Sequence, residues 1–274
     1  MVRLRKVALV FLKDWLEIRR NGEVLLPLLI VPLLFAVMLP IIAVLPTLAI
    51  PSWASSEGLL TLVKALPGQV REQIAGMTGQ QAIVYIMALY LFAPVFLIIP
   101  IMASSVIASD SFAGEKERKT IEALLATPLS DGEMLLGKML VSFAPAVIVT
   151  AAAFAVYSVV VDYLTFSMFG GRLLFPNTIW LSLIFGLSPS LAFADIGLTV
   201  IISARVKGVK EAQQISALLL IPLVAAVLGQ ASGAMALDPS LVTTTTMLLV
   251  AFDIIIFVAS VKAFGRGRIL ARLS

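Results

Sequence analysis

Val24-Leu-Leu-Pro-Leu-Leu-Ile-Val-Pro-Leu-Leu-Phe-Ala-Val-Met-Leu-Pro-Ile-Ile-Ala-Val-Leu-Pro46 is a run of twenty-three residues without one ionisable side chain. At about 1.5 Å of rise per residue, a helix of that length matches the roughly 30 Å hydrocarbon thickness of a bilayer. Five comparable runs follow, at about 83–109, 136–162, 177–203, 212–235 and 240–262. The last two are separated only by Ala236 to Pro239, a short hairpin. The 274 residues are 60% hydrophobic and 13% charged, with a mean hydropathy of +1.06. Soluble domains hold roughly 45–50% apolar residues, so lipid is the main solvent here. The pattern predicts an all-α, polytopic integral membrane protein with six transmembrane helices.

Ahead of the first run, residues 2–20 place Leu4, Val7, Ala8, Phe11, Leu12, Trp15 and Ile18 at helical spacing, with Arg3, Arg5, Lys6, Lys13, Arg19 and Arg20 around them. Such a basic amphipathic helix suits the anionic cytoplasmic leaflet. Residues 1–22 are therefore expected to form an interfacial helix, and 23–274 one six-helix transmembrane domain. The basic residues also set the orientation. Six lie in the N-terminal stretch, four in the second connection (Lys116, Arg118, Lys119, Lys138), three in the fourth (Arg205, Lys207, Lys210) and four in the tail (Lys262, Arg266, Arg268, Arg272). That is seventeen of twenty, with only Lys64, Arg71 and Arg172 elsewhere, so both termini are expected in the cytosol, at the cytoplasmic membrane. The first external loop, about 47–82, holds a small amphipathic stretch near Glu57 to Leu66, too short for a folded domain. Pro94, Pro100, Pro145, Pro189 and Pro222 imply kinks whose freed carbonyls neighbouring helices must satisfy. Gly229-x-x-x-Gly233 offers a close helix approach, and no internal repeat is visible.

The absence of Cys and His removes disulfides, Cys/His zinc sites, thiol nucleophiles and histidine acid–base chemistry. The net charge of +4 and pI near 9.5 do not indicate nucleic acid, because the basic residues sit in short clusters between apolar runs.

Charge is densest in the second connection, Asp110-Ser-Phe-Ala-Gly-Glu-Lys-Glu-Arg-Lys-Thr-Ile-Glu-Ala-Leu-Leu-Ala-Thr-Pro-Leu-Ser-Asp-Gly-Glu133. The spacing predicts a helix from about Phe112 to Ala126, with Ile121, Leu124 and Leu125 on one side and Glu115, Glu117, Arg118 and Glu122 on the other. Thr127-Pro128 ends it, since the residue before a proline leaves the α region. Ser130 and Glu133 are spaced as a capping box that starts the third span. Residues 110–138 thus form a charged helical hairpin against which a soluble partner could push. Within it, Gly132-Glu-Met-Leu-Leu-Gly137-Lys138-Met139 nearly spells a phosphate-binding loop. Met139 replaces the required Ser/Thr, no strand precedes it, and the four intervening residues are strong helix formers.

Glu115-Lys-Glu-Arg-Lys-Thr-Ile-Glu-Ala-Leu-Leu-Ala-Thr-Pro-Leu-Ser, followed by Glu133 and Leu136-Gly137-Lys138, resembles the signature of type-2 ATP-binding-cassette exporter permeases, and within them the NatB-like group. The family pattern usually has Gly where Lys119 stands. The resemblance implies a non-catalytic membrane subunit whose signature, as a coupling helix, meets a separate nucleotide-binding ATPase. It implies a second permease copy, homodimeric or related. It also implies that ATP and magnesium reside on the partner, with no cofactor or metal bound by this chain. Carried over by residue, Glu115, Glu117, Arg118, Thr120, Glu122, Thr127 and Pro128 match the coupling signature. Gly208 and Lys210, beside Val209, lie where the family places a smaller second contact.

Asp195 and Asp253 are the carboxylates deepest in predicted spans, eight or nine residues from the cytosolic ends of helices that run the same way. At about 1.5 Å per residue they lie at similar depth and could meet. A carboxylate at a helix centre costs about 2.5–3.5 kcal/mol on insertion scales, so it needs a cavity, a partner or a cation. Hydrogen bonding to Ser190 or Thr199 is one expectation. Lining a route for a cationic cargo, such as sodium or a small amphiphile, is the other. The same pair supports a competing class, an ion-coupled secondary transporter or channel.

Overall fold

The computed structural model describes residues 3–48, 68–120, 127–206, 208–231 and 238–264. A first helix, α1 (Leu4–Ile18), precedes six helices long and apolar enough to cross a membrane. These are α2 (Gly22–Leu48), α3 (Gly79–Glu117), α4 (Asp131–Thr165), α5 (Thr178–Ser203), α6 (Val209–Gln230) and α7 (Pro239–Ala263). Each coincides with a predicted apolar run. A short helix, Gly68–Ile74, lies between α2 and α3, and no strand occurs among the described residues. The stretch 57–66, Lys207, Gly233 and the basic tail from 265 lie outside the described residues.

α3, α4 and α5 form the buried centre, with α1 and α2 against α4, and α7 against α5. One half of the bundle, at the ends where α3 and α5 begin, is held by rings. Trp180 stacks on Tyr157 at 4.8 Å and on Phe154 at 5.6 Å, and Phe96 and Phe175 meet it edge-on at 5.3 Å. The predicted accommodation of proline is visible here. Pro94 and Pro189 cannot donate to the carbonyls of Tyr90 and Phe185, and each is preceded by a π-helical turn, Met87–Leu91 and Leu183–Leu187. Tyr157 donates its hydroxyl to the Ala88 carbonyl at 2.8 Å, and Trp180 its indole N–H to the Leu89 carbonyl at 3.0 Å. Side chains of α4 and α5 thus satisfy carbonyls that the widened turn of α3 exposes.

Two glycines set helix distances. A Cβ on Gly137 would stand 2.6 Å from the Val10 Cβ and 3.0 Å from the Val7 carbonyl, so only glycine lets α1 lie this close on α4. A Cβ on Gly197 would meet Ile256 of α7 at 2.0 Å, and beside it Ser260 donates to the Gly197 carbonyl at 2.9 Å.

The helix expected over 112–126 is corrected. α3 runs through a π-helical turn, Asp110–Gly114, and ends at Glu117. Lys119 adopts φ 58°, the left-handed conformation, with its N–H on the Lys116 carbonyl and the Thr120 N–H on the Glu115 carbonyl. That pair of bonds is a Schellman stop, which needs a left-handed residue after the last turn. The helix expected over 112–126 is thus interrupted at 118–120, and residues 121–126 lie outside the described residues.

Candidate functional site

The face carrying the second and fourth connections is built on a knot of buried charge. Asp14 is the one acidic residue on the buried side of α1, with Val7, Val10 and Ile18. Lys138 of α4 is completely buried, and its ammonium reaches Asp14 and Glu115 at 2.9 Å each and the Ser111 carbonyl at 2.9 Å. Ser111 donates its hydroxyl to Asp14 at 2.8 Å. Lys13 lies at 2.7 Å from Glu115, 3.1 Å from Asp14 and 3.0 Å from Glu17. The carboxylates of Asp14, Glu17 and Glu115 converge closely enough to suggest a metal, but the Lys13 ammonium occupies their midst. Burial alone would raise the Asp14 pKa; the adjacent Lys138 charge and its hydrogen bond, Lys13 and Ser111 outweigh it and hold the carboxyl below its ordinary value. A depressed folded pKa means this contribution to stability is present above the ordinary carboxylate value and lost as pH falls through the folded one. Burial would lower Lys13, yet its bond to Glu115 and the charges of Asp14 and Glu115 raise it.

The same knot fastens α1 along the connection. Ser130 and Glu133 form the predicted capping box, with Ser130 N–H donating to Glu133 at 2.9 Å and Glu133 N–H to the Ser130 hydroxyl at 3.2 Å. Glu133 also accepts the Arg3 N–H at 2.9 Å, and the Lys6 ammonium donates to the Pro128 carbonyl. Half of the apolar stripe read on α1 therefore belongs to protein contact, and Leu4 and Leu12 are exposed together with Leu9 and Leu16.

The sequence-predicted residues separate into three groups. Glu115, expected on the solvent side, is buried in the knot, a correction that follows from the two ammonium groups facing it. Glu117, Arg118, Thr120 and Pro128 are exposed, and Thr127 is half-buried. Arg118 pairs with Asp110 at 3.0 Å, and Thr120 returns its hydroxyl to the Glu115 carbonyl at 3.3 Å. Glu122 lies outside the described residues. The second and fourth connections meet. Glu117 accepts the Val209 N–H at 3.0 Å, a Cβ on Gly208 would stand 3.0 Å from the same carboxylate, and the Lys116 ammonium donates to the Val206 carbonyl at 2.8 Å. Lys210 is exposed beside them.

Sequence reasoning missed Asp14 and Lys138. The signal was present, since Asp14 interrupts the spacing Val7, Phe11, Ile18, and Lys138 falls between Leu135 and Val141 on the buried side of α4. Lys138 had been counted as a topology charge. The near phosphate-loop stretch 132–139 is the first two turns of α4, with Gly137 filled by Val10 and Lys138 held by carboxylates.

In the membrane half, Asp195 is fully buried and accepts the Ser104 hydroxyl of α3 at 2.6 Å. Neither expected partner serves it, because Thr199 pairs with Ser216 at 2.8 Å. Its second oxygen and one oxygen of Asp253 lack a hydrogen-bond partner among the described residues, so the two carboxylates do not bond each other. Asp253 instead borders a broadly open surface pocket of about 480 Å³ between α4, α5 and α7.

Residues 8–255 match the family described as ABC-2 family transporter protein, a stretch that covers most of α1, all of α2 to α6 and α7 as far as residue 255. No curated protein matches the chain.

Proposed function

Because the chain belongs to the ABC-2 transporter family, a multi-pass membrane component of ABC exporters that is generally non-catalytic and works with an ATP-binding subunit, we propose that it is the permease of an ATP-driven exporter in the cytoplasmic membrane. Both termini and the 110–138 segment face the cytosol, and ATP and magnesium bind the separate subunit. A second permease copy completes the transporter, and the exposed apolar faces of α6 and α7, with Leu218, Ile221, Met247 and Ile254 among them, leave room for it or for lipid. The NatB-like signature favours a sodium ion or small amphiphile as cargo.

The observation that carries this reading is the union of the two cytosolic connections. Glu117, Gly208 and Lys210 form one platform with Arg118, Thr120, Thr127 and Pro128 at its edge, and a rigid knot anchors it to α1, α3 and α4. A partner pressing on such a platform moves three helices together. Alternation between two conformations needs the partner's nucleotide state to favour one of them, and a stiff lever transmits that preference.

The cysteine-free background allows a direct test. Lys119→Cys and Lys210→Cys in the full chain, co-expressed with a candidate nucleotide-binding ATPase subunit, should each cross-link to that subunit and resist a membrane-impermeant thiol reagent applied to intact cells. Labelling of position 119 from outside, or purification of a functional transporter with no ATPase, would overturn the assignment. Transport driven by an ion gradient without ATP would establish the ion-coupled class that Asp195 and Asp253 also allow.

A further inference from the structure

The two intramembrane carboxylates, similar in sequence, differ in what they face. Asp195 is sealed between α3 and α5 against Ser104. Asp253 stands in the wall of the cavity between α4, α5 and α7, whose other walls include Phe143, Phe193 and Phe257. Phe193 meets Phe143 at 6.1 Å and Phe257 at 6.3 Å, so the rings form a continuous aromatic surface across the three helices. Among the cavity's lining residues Val250 and Ile254 are exposed apolar side chains, the surface a lipid tail would wet. Asp253 lies ten residues, roughly 15 Å, from the end of α7 at Ala263, on the half of the bundle that carries the 110–138 segment.

From this geometry we infer that the cavity between α4, α5 and α7 is a lateral binding site for a hydrophobic organic cation, with Asp253 as counter-ion and Phe143, Phe193 and Phe257 as the aromatic wall. A carboxylate in hydrocarbon without a cation on the protein is costly, and among the described residues no Lys or Arg pairs with Asp253. Aromatic faces attract a cation most strongly when water is excluded, and rings that are also apolar receive the rest of an amphiphile. The volume suits a drug-sized molecule. A neutral lipid chain would use the rings and leave the carboxylate without a partner. An inorganic cation would use the carboxylate and gain little from three phenyl rings and an apolar mouth. The site names the cargo class of the proposed exporter and rests on that reading only for the direction of transport; binding itself requires no ATPase.

The full chain, purified in nanodiscs, is titrated with radiolabelled tetraphenylphosphonium and with tetraphenylborate, which share shape and differ in sign of charge. Saturable binding is expected for the phosphonium alone. Asp253→Asn should weaken it by about thirtyfold or more, the loss expected when one partner of a buried charge pair is removed. Asp253→Glu should restore most of it, and Asp195→Asn should leave it within about twofold. Val250→Trp, at an exposed edge, fills the cavity without touching the carboxylate and should abolish binding even if the Asn variant does not fold. Equal binding of both ions, no saturable phosphonium binding by the wild type, or wild-type affinity in Val250→Trp would each overturn the site. Cross-linking of Lys119→Cys to the ATPase is unaffected by any of these outcomes, so failure of the site and failure of the export reading are separate results.

Discussion

Buried charge occurs in two regions of this molecule, and it is treated in opposite ways. At the end that carries the second and fourth connections, Asp14 and Glu115 share Lys138 and Lys13 within 3.1 Å, and Ser111 closes the set. In the membrane half, Asp195 has one hydroxyl and Asp253 no hydrogen-bonding partner for its buried oxygen. A charge paired with opposite charges of its own chain fixes geometry. One whose bonds are unmet waits for something the chain does not supply. The first arrangement fits a lever, the second a binding wall.

The comparison is broken most severely at Lys138. Lys138→Met should destabilise the protein by about 3–5 kcal/mol, because Asp14 and Glu115 stay buried while their shared cation is lost. Denaturant unfolding of the purified protein checks this. Replacing Asp14 and Glu115 with apolar residues in the same chain should recover much of the loss, since a well-packed apolar substitute for a buried ion set is often neutral. No comparable loss is expected from Asp195→Asn or Asp253→Asn, which remove a charge that has no cation beside it among the described residues. A large loss in either would move these residues to the first class.

Gly137→Ala sharpens the same point by prising α1 from α4 without touching a charge. The added methyl must displace Val10 or the Val7 carbonyl, and overpacking of this kind costs about 1–3 kcal/mol. Val10→Ala in the same chain should recover only part of the loss, because it removes the Cγ1 at 2.7 Å but keeps the Cβ at 2.6 Å and the Val7 carbonyl at 3.0 Å. Thermal unfolding of the single and double variants reads out the coupling.

At the platform, Glu117→Lys should leave folding nearly unchanged, within about 1 kcal/mol, because the side chain is exposed and, among the described residues, accepts the Val209 N–H alone. Co-purification of the ATPase should fall sharply. Glu115→Lys should do the reverse of what the signature alone implies and lower stability first, as it places a third cation beside Lys13 and Lys138.

How much of this was legible depended on the physical range of each effect. All six spans were readable, since a run such as Val24 to Pro46 has one solution in lipid. The Ser130 and Glu133 cap was readable because both partners sit three residues apart. The knot was not, because Asp14, Glu115 and Lys138 come together over separations of more than twenty residues, and a charge in a basic, amphipathic stretch reads as solvated. Spacing also placed Asp195 and Asp253 as equals. Their difference lies in the neighbours that α3 and α4 bring, Ser104 for one and Phe143 for the other.

The smallest expected effect concerns Lys119, the one departure from the family pattern noted in the signature. Its φ of 58° is the left-handed conformation in which a side chain crowds the following carbonyl, and glycine alone avoids that crowding. The bonds from Lys119 to Lys116 and from Thr120 to Glu115 show that the turn is made despite the strain, because the Schellman stop is imposed by the fixed positions of Glu115 and Glu117. Lys119→Gly should therefore stabilise the chain by about 0.5–1 kcal/mol, relief at the turn exceeding the extra freedom glycine gives the unfolded state. Lys119→Ala keeps the Cβ and should bring no gain, which separates backbone relief from removal of a positive charge. A gain in both variants on denaturant unfolding would assign the effect to charge and detach the family's glycine from the turn it is proposed to serve.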